Sequence, residues 1–351
     1  MLKSRRFWLG VAITLLFLFL FLYRPWGEPL DFAEMGRALG EANYIFLLPG
    51  MLIFFVGVFF RSVRWRYLLK PLGSFSSLRL FPLIVIGFLV NNILPARLGI
   101  VARAYILGER EGISKMATGG TMVVEQLFDG VTLLFFIAVI ALFGVSIGGL
   151  MQNAIYIAAG LFLGALALCF IFACSPRLAR RMVSLVVHLL PQRWRGKTEG
   201  WLTRLIEGLE IMRSPGKLLI VFALSTLVWL CEACVFYVVA FTFDLGQPFY
   251  VFMLATALAN LAWALIMTQG GLGSFDVACQ ETLMLFIPAG VIAAAYADLV
   301  AAYVIVLHAL ILLPMIALGF IFLWFENLSL AKIVSGERRA VAGHDPKEGK
   351  G

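Results

Sequence analysis

The chain has 351 residues, of which 62% are hydrophobic and 14% charged, and its formal net charge is +8. Globular domains are typically about 45–50% apolar and about 25% charged, so this chain has too little polar surface to cover a water-soluble fold. The composition excludes a soluble enzyme, a disordered chain and a nucleic-acid reader, and leaves an all-α integral membrane protein, a polytopic helical bundle.

The first apolar run, from Phe7 to Leu22, follows Lys3, Arg5 and Arg6. A signal peptide has this form, but Tyr23, Arg24, Pro25 and Trp26 come next in place of a small-x-small cleavage site. The run is therefore read as a retained span over 7–23. Further spans are expected at 43–60, 118–143, 153–174 and 217–243, each near the roughly 20 residues that cross the hydrocarbon. The charge between them alternates. Residues 1–6 carry +3, 24–42 carry −2, 61–79 carry +5, 96–117 carry +2, 144–152 carry none, 175–217 carry +6 and 326–351 carry +1. The positive-inside rule puts both termini and the basic stretches in the cytoplasm, and 24–42 and 144–152 outside. The expected location is the cell membrane.

With 61–79 and 96–117 on one side, the apolar stretch 80–95 cannot be a simple span. It has to enter and return, or break within the membrane. Its centre, NNILPARLG from Asn91 to Gly99, carries the helix breakers Pro95 and Gly99. Non-helical backbone at membrane depth is tolerated where protein or a wet cavity covers it. Residues 249–287 behave alike, broken by TQGGLGSFD from Thr268 to Asp276. A long helical stretch with Pro314 follows over 289–325 and is read as one crossing. Each half thus has a broken hairpin, a turn led by glycine (Gly112, Gly290) and a long helix carrying polar groups. That is the pattern of an inverted-topology repeat with a site at its midplane.

The segment 175–217 is basic and amphipathic. Trp201, Leu205, Leu209 and Met212 share one helical face, with Arg177, Arg180, Arg181, Arg193, Arg195 and Lys197 nearby. It reads either as a helix on the anionic leaflet or as a solvated loop. Residues 1–328 form one transmembrane domain, and 329–351 read as a disordered cytoplasmic tail. Trp8, Trp26, Trp65 and Trp324 are expected as interface anchors. The five cysteines all lie in apolar segments, and His188, His308 and His344 are far apart. No metal-ligand spacing appears, and no metal or cofactor is expected.

A charge in hydrocarbon costs about 2.5–3.5 kcal/mol on insertion scales, so each one is a functional candidate. Glu125 and Asp129 are four apart and share a helix face, within reach of Arg97 or Arg103. They read either as a structural ion pair or as part of a cation, proton or headgroup site. Arg97 and Arg103 flank the helix start at Gly99, an arrangement suited to a phosphate. Asn91 and Asn92 offer polar cover. Gly270, Gly271 and Gly273 free the backbone amides of the second break to face a ligand. Asp276 either caps the next helix or joins the site. Glu232 and His308 read as satisfied polar contacts.

The stretch GFLVNNILPARLGIVARAYILGEREGIS, followed by TMVVEQLFDG, together with RWRYLLKP before it and GGLGSFD later, resembles the flippase-like transmembrane family typified by the membrane part of lysylphosphatidylglycerol synthase. The resemblance covers 7–325. The chain departs from the family pattern at Ile100 (commonly Glu), Gln126 (Arg), Gln269 (Pro) and Asp276 (Glu). The chain ends about 25 residues after its last span, too few for the soluble aminoacyl-transfer domain of the synthases. The resemblance implies the flippase half: movement of an amphipathic lipid, anionic in its phosphate or sugar headgroup, between leaflets. Asn91, Asn92, Arg97, Gly99, Arg103, Glu125, Asp129, Gly270, Gly271, Gly273 and Asp276 are its candidate headgroup residues. Membrane lipids are the expected partners, with envelope-biosynthesis proteins as further ones and no nucleic acid. The alternatives are an accessory role in envelope lipid or glycan assembly and an intramembrane lipid-modifying enzyme. H-E-x-x-H, G-x-S-x-G and the phosphate-binding G-x-x-x-x-G-K-[ST] are all absent, so no enzyme activity is expected.

Overall fold

A computed structural model describes residues 5–25, 27, 29–94, 98–142, 149–175, 181, 183, 184, 187, 192–266 and 268–326. Arg97 and the tail 329–351 lie outside the described residues. Among the described residues there are twelve α-helices and no strand. They are α1 Arg5–Tyr23, α2 Phe32–Glu41, α3 Leu47–Leu68, α4 Ser77–Ile93, α5 Gly99–Glu111 and α6 Lys115–Leu142. The second half holds α7 Gly149–Cys174, α8 Gln192–Glu207, α9 Pro215–Ala240, α10 Phe249–Ile266, α11 Ser274–Met284 and α12 Ala293–Phe325. Six helical stretches are long and apolar enough to cross a membrane: Tyr44–Leu68, Lys115–Leu142, Ile155–Phe172, Pro215–Ala240, Phe249–Ile266 and Ala293–Phe325. The runs Gly10–Tyr23 and Ser77–Ile93 are apolar but shorter.

Cross-links sort the helix ends. At one end, the Trp65 indole donates to Thr121 Oγ1 over 3.3 Å, and Arg110 pairs with Glu326. This end therefore gathers the ends of α3, α5 and α12 and the start of α6. At the other end, the Asn43 amide donates to the Thr242 carbonyl over 2.9 Å. There too the Asp31 amide donates to Asp298 Oδ1 over 2.9 Å, and Arg24 pairs with Glu281 over 3.3 Å. Asp31 also caps α2 through its side chain, so Asp298 anchors the start of α2 to α12.

Two helical hairpins occupy the middle. α4 and α5 leave and return to the first end, broken at 94–98. α10 and α11 leave and return to the second, broken by a 3-10 turn at Gln269–Gly271. Their tips touch: a Cβ added at Gly270 would lie 3.6 Å from the Asn92 Cα. The order α3, α4, α5, Gly112, α6 recurs as α9, α10, α11, Gly290, α12 with directions reversed. Both glycines turn at positive φ, 68° and 83°. α12 is one helix of 33 residues with Pro314 inside, about 50 Å long. It is one continuous helix, long and apolar enough to cross a membrane.

Three expectations change. The span placed at 43–60 continues to Leu68, because the buried face through Phe54, Val58, Arg61, Trp65 and Leu68 keeps its 3–4 spacing past residue 60. Arg61 and Arg64 are therefore buried rather than part of a cytoplasmic loop. Trp65 is fully buried and is no interface anchor, whereas Trp8 and Trp324 are exposed. The third concerns the 175–217 segment. α8 and the 3-10 turn Glu210–Arg213 dock on the protein, with Leu209, Ile211 and Met212 in the main core.

The contact between α8 and α6 is glycine on glycine. A Cβ on Gly120 would sit 2.3 Å from the Leu205 carbonyl oxygen, whereas one on Gly119 meets nothing within 4 Å. Gly120→Ala should therefore destabilise by about 1–3 kcal/mol, the usual cost of overpacking. Gly119→Ala should be neutral or stabilising by up to about 1 kcal/mol, the helix preference of Ala over Gly. Thermal unfolding of both variants in detergent measures the difference.

Candidate functional site

A cavity of about 130 Å³ lies where the hairpin tips meet, walled by α3, α4, α5, α6, α7, α9, α10, α11 and α12. Its lining combines Phe54, Ile84, Leu133 and Phe162 with Arg61, Arg103, Glu125, Asp129, Glu232, Asn260 and His308. An apolar bundle thus holds a polar chamber at its centre.

The charges around it are matched. Arg64 has no solvent exposure and lies just behind the wall. Its Nη1 donates to Asp129 Oδ1 over 2.5 Å and its Nη2 to Asp129 Oδ2 over 3.1 Å. Nη2 also reaches Glu125 Oε1 at 3.1 Å, and Nη1 reaches Ser225 Oγ at 2.8 Å. The forked guanidinium suits this role, since a bidentate carboxylate bond is strong and fixes orientation. The Trp229 indole donates to Asp129 Oδ1 over 2.8 Å. Glu125 is shared: its Oε2 accepts from Arg103 Nη2 over 3.0 Å. The Arg103 guanidinium lies 4.2 Å from the Trp65 ring centroid, a favourable cation–π contact. Arg61 donates to Glu232 Oε2 over 2.7 Å and lies 4.9 Å from the Trp229 ring centroid. Asn260 Nδ2 donates to Glu232 Oε1 over 3.3 Å. Three guanidiniums thus face three carboxylates. Burying an unpaired ion costs several kcal/mol, and a well-bonded pair removes most of that cost.

A second cluster closes the tip of the α10–α11 hairpin. His308 Nδ1 is 2.6 Å from Asp276 Oδ1, and its Nε2 is 3.0 Å from the Gly270 carbonyl oxygen. Asp276 Oδ2 accepts from the Gly273 amide over 2.8 Å, and Thr268 Oγ1 lies 2.6 Å from Ser274 Oγ.

These contacts redistribute the expected roles. Asn91, Asn92, Gly99, Arg103, Glu125, Asp129 and Gly270 line the cavity; Arg97 lies outside the described residues. Asn91 Oδ1 accepts from the Gly99 amide over 2.7 Å, so the first amide of α5 is bonded within the chain. Gly99 is needed for close approach, since a Cβ there would lie 2.1 Å from the Gly87 carbonyl oxygen. The amides of the glycine loop are also engaged within the protein: Gly271 donates to the Thr268 carbonyl, Gly273 to Asp276 and Gln269 to Thr14 Oγ1. Gly271 and Gly273 shape the turn, at φ of 86° and 82°. Asp276 caps α11 and also holds His308.

Arg61, Arg64, Ser225, Trp229, Glu232, Asn260 and His308 complete the constellation. Heptad-like continuation of α3 past residue 60 was the available signal for the two arginines. Glu232 and His308 are satisfied polar contacts, as expected, and both face the cavity.

Arg64 has the least water and the most partners of the three cations. Arg64→Ala leaves Glu125 to Arg103 alone and Asp129 without an ion partner. A loss of about 3–5 kcal/mol is expected, the usual cost of stripping one partner from a buried pair. Arg61→Ala, at the cavity wall, should cost less. Detergent melting curves of the two variants, run side by side, rank them.

Over residues 7–319 the chain matches the family described as Lysylphosphatidylglycerol synthase TM region. It is also similar to the glycosyltransferase AglD of Haloferax volcanii, 29% identical over 132 residues, which is 37% of this chain and 21% of that protein. The chain thus matches only about a fifth of that relative's length. No solved structure matches it. A charged chamber inside an apolar multi-helix bundle, and a match spanning nearly the whole chain, lead to one assignment: this is a multi-pass membrane protein belonging to the family of lysylphosphatidylglycerol synthase transmembrane regions.

Proposed function

We propose that the protein moves an amphipathic lipid with an anionic phosphate- or sugar-bearing headgroup between the leaflets of the cell membrane. The observation that carries this reading is the sharing of Glu125 between Arg64 and Arg103. Arg103 lines the cavity and Arg64 does not. A headgroup phosphate arriving at Arg103 displaces the Glu125 carboxylate there, and Glu125 keeps its bond from Arg64, which it shares with Asp129. The exchange replaces one charge-assisted bond with another and leaves no buried ion alone. The apolar helix surfaces around the chamber suit acyl tails that stay in lipid while the headgroup passes.

In the same reading the two hairpins are re-entrant, α4–α5 from the cytoplasm and α10–α11 from outside, with both termini cytoplasmic. The clustering of basic segments at the end marked by Arg110 and Glu326 supports this orientation. The glycosyltransferase name of the Haloferax protein favours a second reading, an accessory role in assembling glycan-bearing lipids.

Purified protein in liposomes should speed leaflet exchange of a fluorescent anionic phospholipid. Arg103→Gln should slow that exchange by about tenfold or more, since it removes a charged hydrogen-bond partner worth about 1.5–3 kcal/mol, while the protein stays folded. Exchange no faster than in protein-free liposomes overturns the flippase reading and leaves the accessory one. A chemically altered lipid would point to an enzyme.

Orientation has its own test. Gly112 and Gly290 sit at turns with open space around them. As single cysteines in a background without the native ones, Gly112→Cys should react with an impermeant reagent only from the cytoplasmic side, and Gly290→Cys only from outside. Labelling of both from one side rules out hairpins entering from opposite leaflets.

A further inference from the structure

His308 is held between two oxygens. Its Nδ1 faces Asp276 Oδ1 at 2.6 Å and its Nε2 faces the Gly270 carbonyl at 3.0 Å. The carbonyl only accepts, and so does an ionised Asp276. A neutral imidazole has one N–H and one bare nitrogen, so it can satisfy one of these oxygens and must turn a lone pair toward the other. The geometry is satisfied only with one more proton. Either both ring nitrogens carry hydrogen, or a protonated Asp276 donates to Nδ1; in both cases Nε2–H donates to Gly270. Asp276 Oδ2 keeps its bond from the Gly273 amide throughout.

We infer that Asp276, His308 and the Gly270 carbonyl form a proton-binding site, and that the proton held there governs the hairpin tip beside the cavity. The coupling to lipid movement rests on the flippase reading; the proton site does not.

The surroundings leave this pair to itself. On α11, Cys279 lies one turn from Asp276, and the Phe275 ring centroid lies 4.8 Å from that of His308. On α12, Tyr303 donates to the Phe236 carbonyl of α9. α4 contributes the uncharged Asn91 and Asn92 to the shared cavity, and α1 contributes Thr14 at the loop. The charged groups of the cavity on α3, α5, α6 and α9, namely Arg61, Arg103, Glu125, Asp129 and Glu232, are bonded to one another or to Arg64. Among the described residues, Asp276 is the acid bonded to His308.

When the proton leaves for cavity water, the imidazole keeps a single N–H, and one of its two bonds is lost. Gly270 is the tip residue that meets Asn92. Protonation therefore ties the tip to α12, and rising pH loosens it.

Asp276→Asn isolates the proton. The Asn Nδ2–H donates to Nδ1, Nε2–H donates to Gly270, and the Asn Oδ1 accepts from Gly273. All three bonds form with a neutral imidazole, so the variant has no need of the extra proton. In a difference titration of the purified full chain between about pH 5 and pH 9, wild type should release about one proton more than Asp276→Asn. In liposomes, exchange of the fluorescent anionic phospholipid by wild type should change by about tenfold over that range, and exchange by Asp276→Asn should not respond to pH. If Asp276→Asn does not fold, His308→Gln takes its place in the titration, with the same missing proton expected. A difference near zero overturns the proton site whatever the lipid does. The full difference with no lipid exchange by either protein overturns the flippase reading and the coupling, and leaves the proton site standing. Exchange by Asp276→Asn that follows pH as wild type does overturns the coupling alone.

Discussion

A guanidinium with no access to water has to be neutralised by the protein itself, and Arg64 sets that requirement for the whole bundle. It sits on α3, yet its partners come from α6 (Glu125, Asp129) and α9 (Ser225). Three helices remote in sequence are thereby pinned at one depth. Trp229 and Arg103 then complete the acceptors that Arg64 leaves open. Hydrophobic burial gives little reason for helices to prefer one another over lipid, so directional polar contacts and close glycine packing fix the arrangement. Gly120 against Gly208 and Gly99 against Gly87 are the packing half of that rule.

The two halves solve the same problem with opposite polarity. In the first, the return helix α5 carries the cation, Arg103, and the long helix α6 the acid, Glu125. In the second, the return helix α11 carries the acid, Asp276, and the long helix α12 the imidazole, His308. Each bond fastens a short broken helix to a long unbroken one. The first pair joins a guanidinium to a carboxylate. The second contains a group whose ordinary titration lies near neutral pH.

Much of this was readable in the residues. Pro95 with Gly99, and the glycines from 270 to 273, mark both breaks because few helices tolerate them. Glu125 and Asp129 declare a shared face by their spacing. The arginines of α3 were harder. A basic stretch after an apolar run is normally a cytoplasmic flank, and only the 3–4 spacing through Trp65 and Leu68 says that the helix has not ended. The pairings themselves are invisible in a single chain: Arg61 meets Glu232 across 171 positions. The helix starts expected to face an anion carry internal acceptors that no spacing rule announces. Asn91 accepts from the Gly99 amide and Asp276 from the Gly273 amide, while charged side chains line the cavity wall.

α1 stands outside the mirrored set. It presses on the second hairpin, where a Cβ on Gly273 would lie 2.5 Å from the backbone of Phe17 and Leu18. Thr14 and Arg24 grip the same hairpin at Gln269 and Glu281. These contacts tie α1 to α11 and to the 3-10 turn before it. The helix that lies outside the mirrored set thus braces one of two hairpins built to the same plan, at the tip that Asp276 and His308 close.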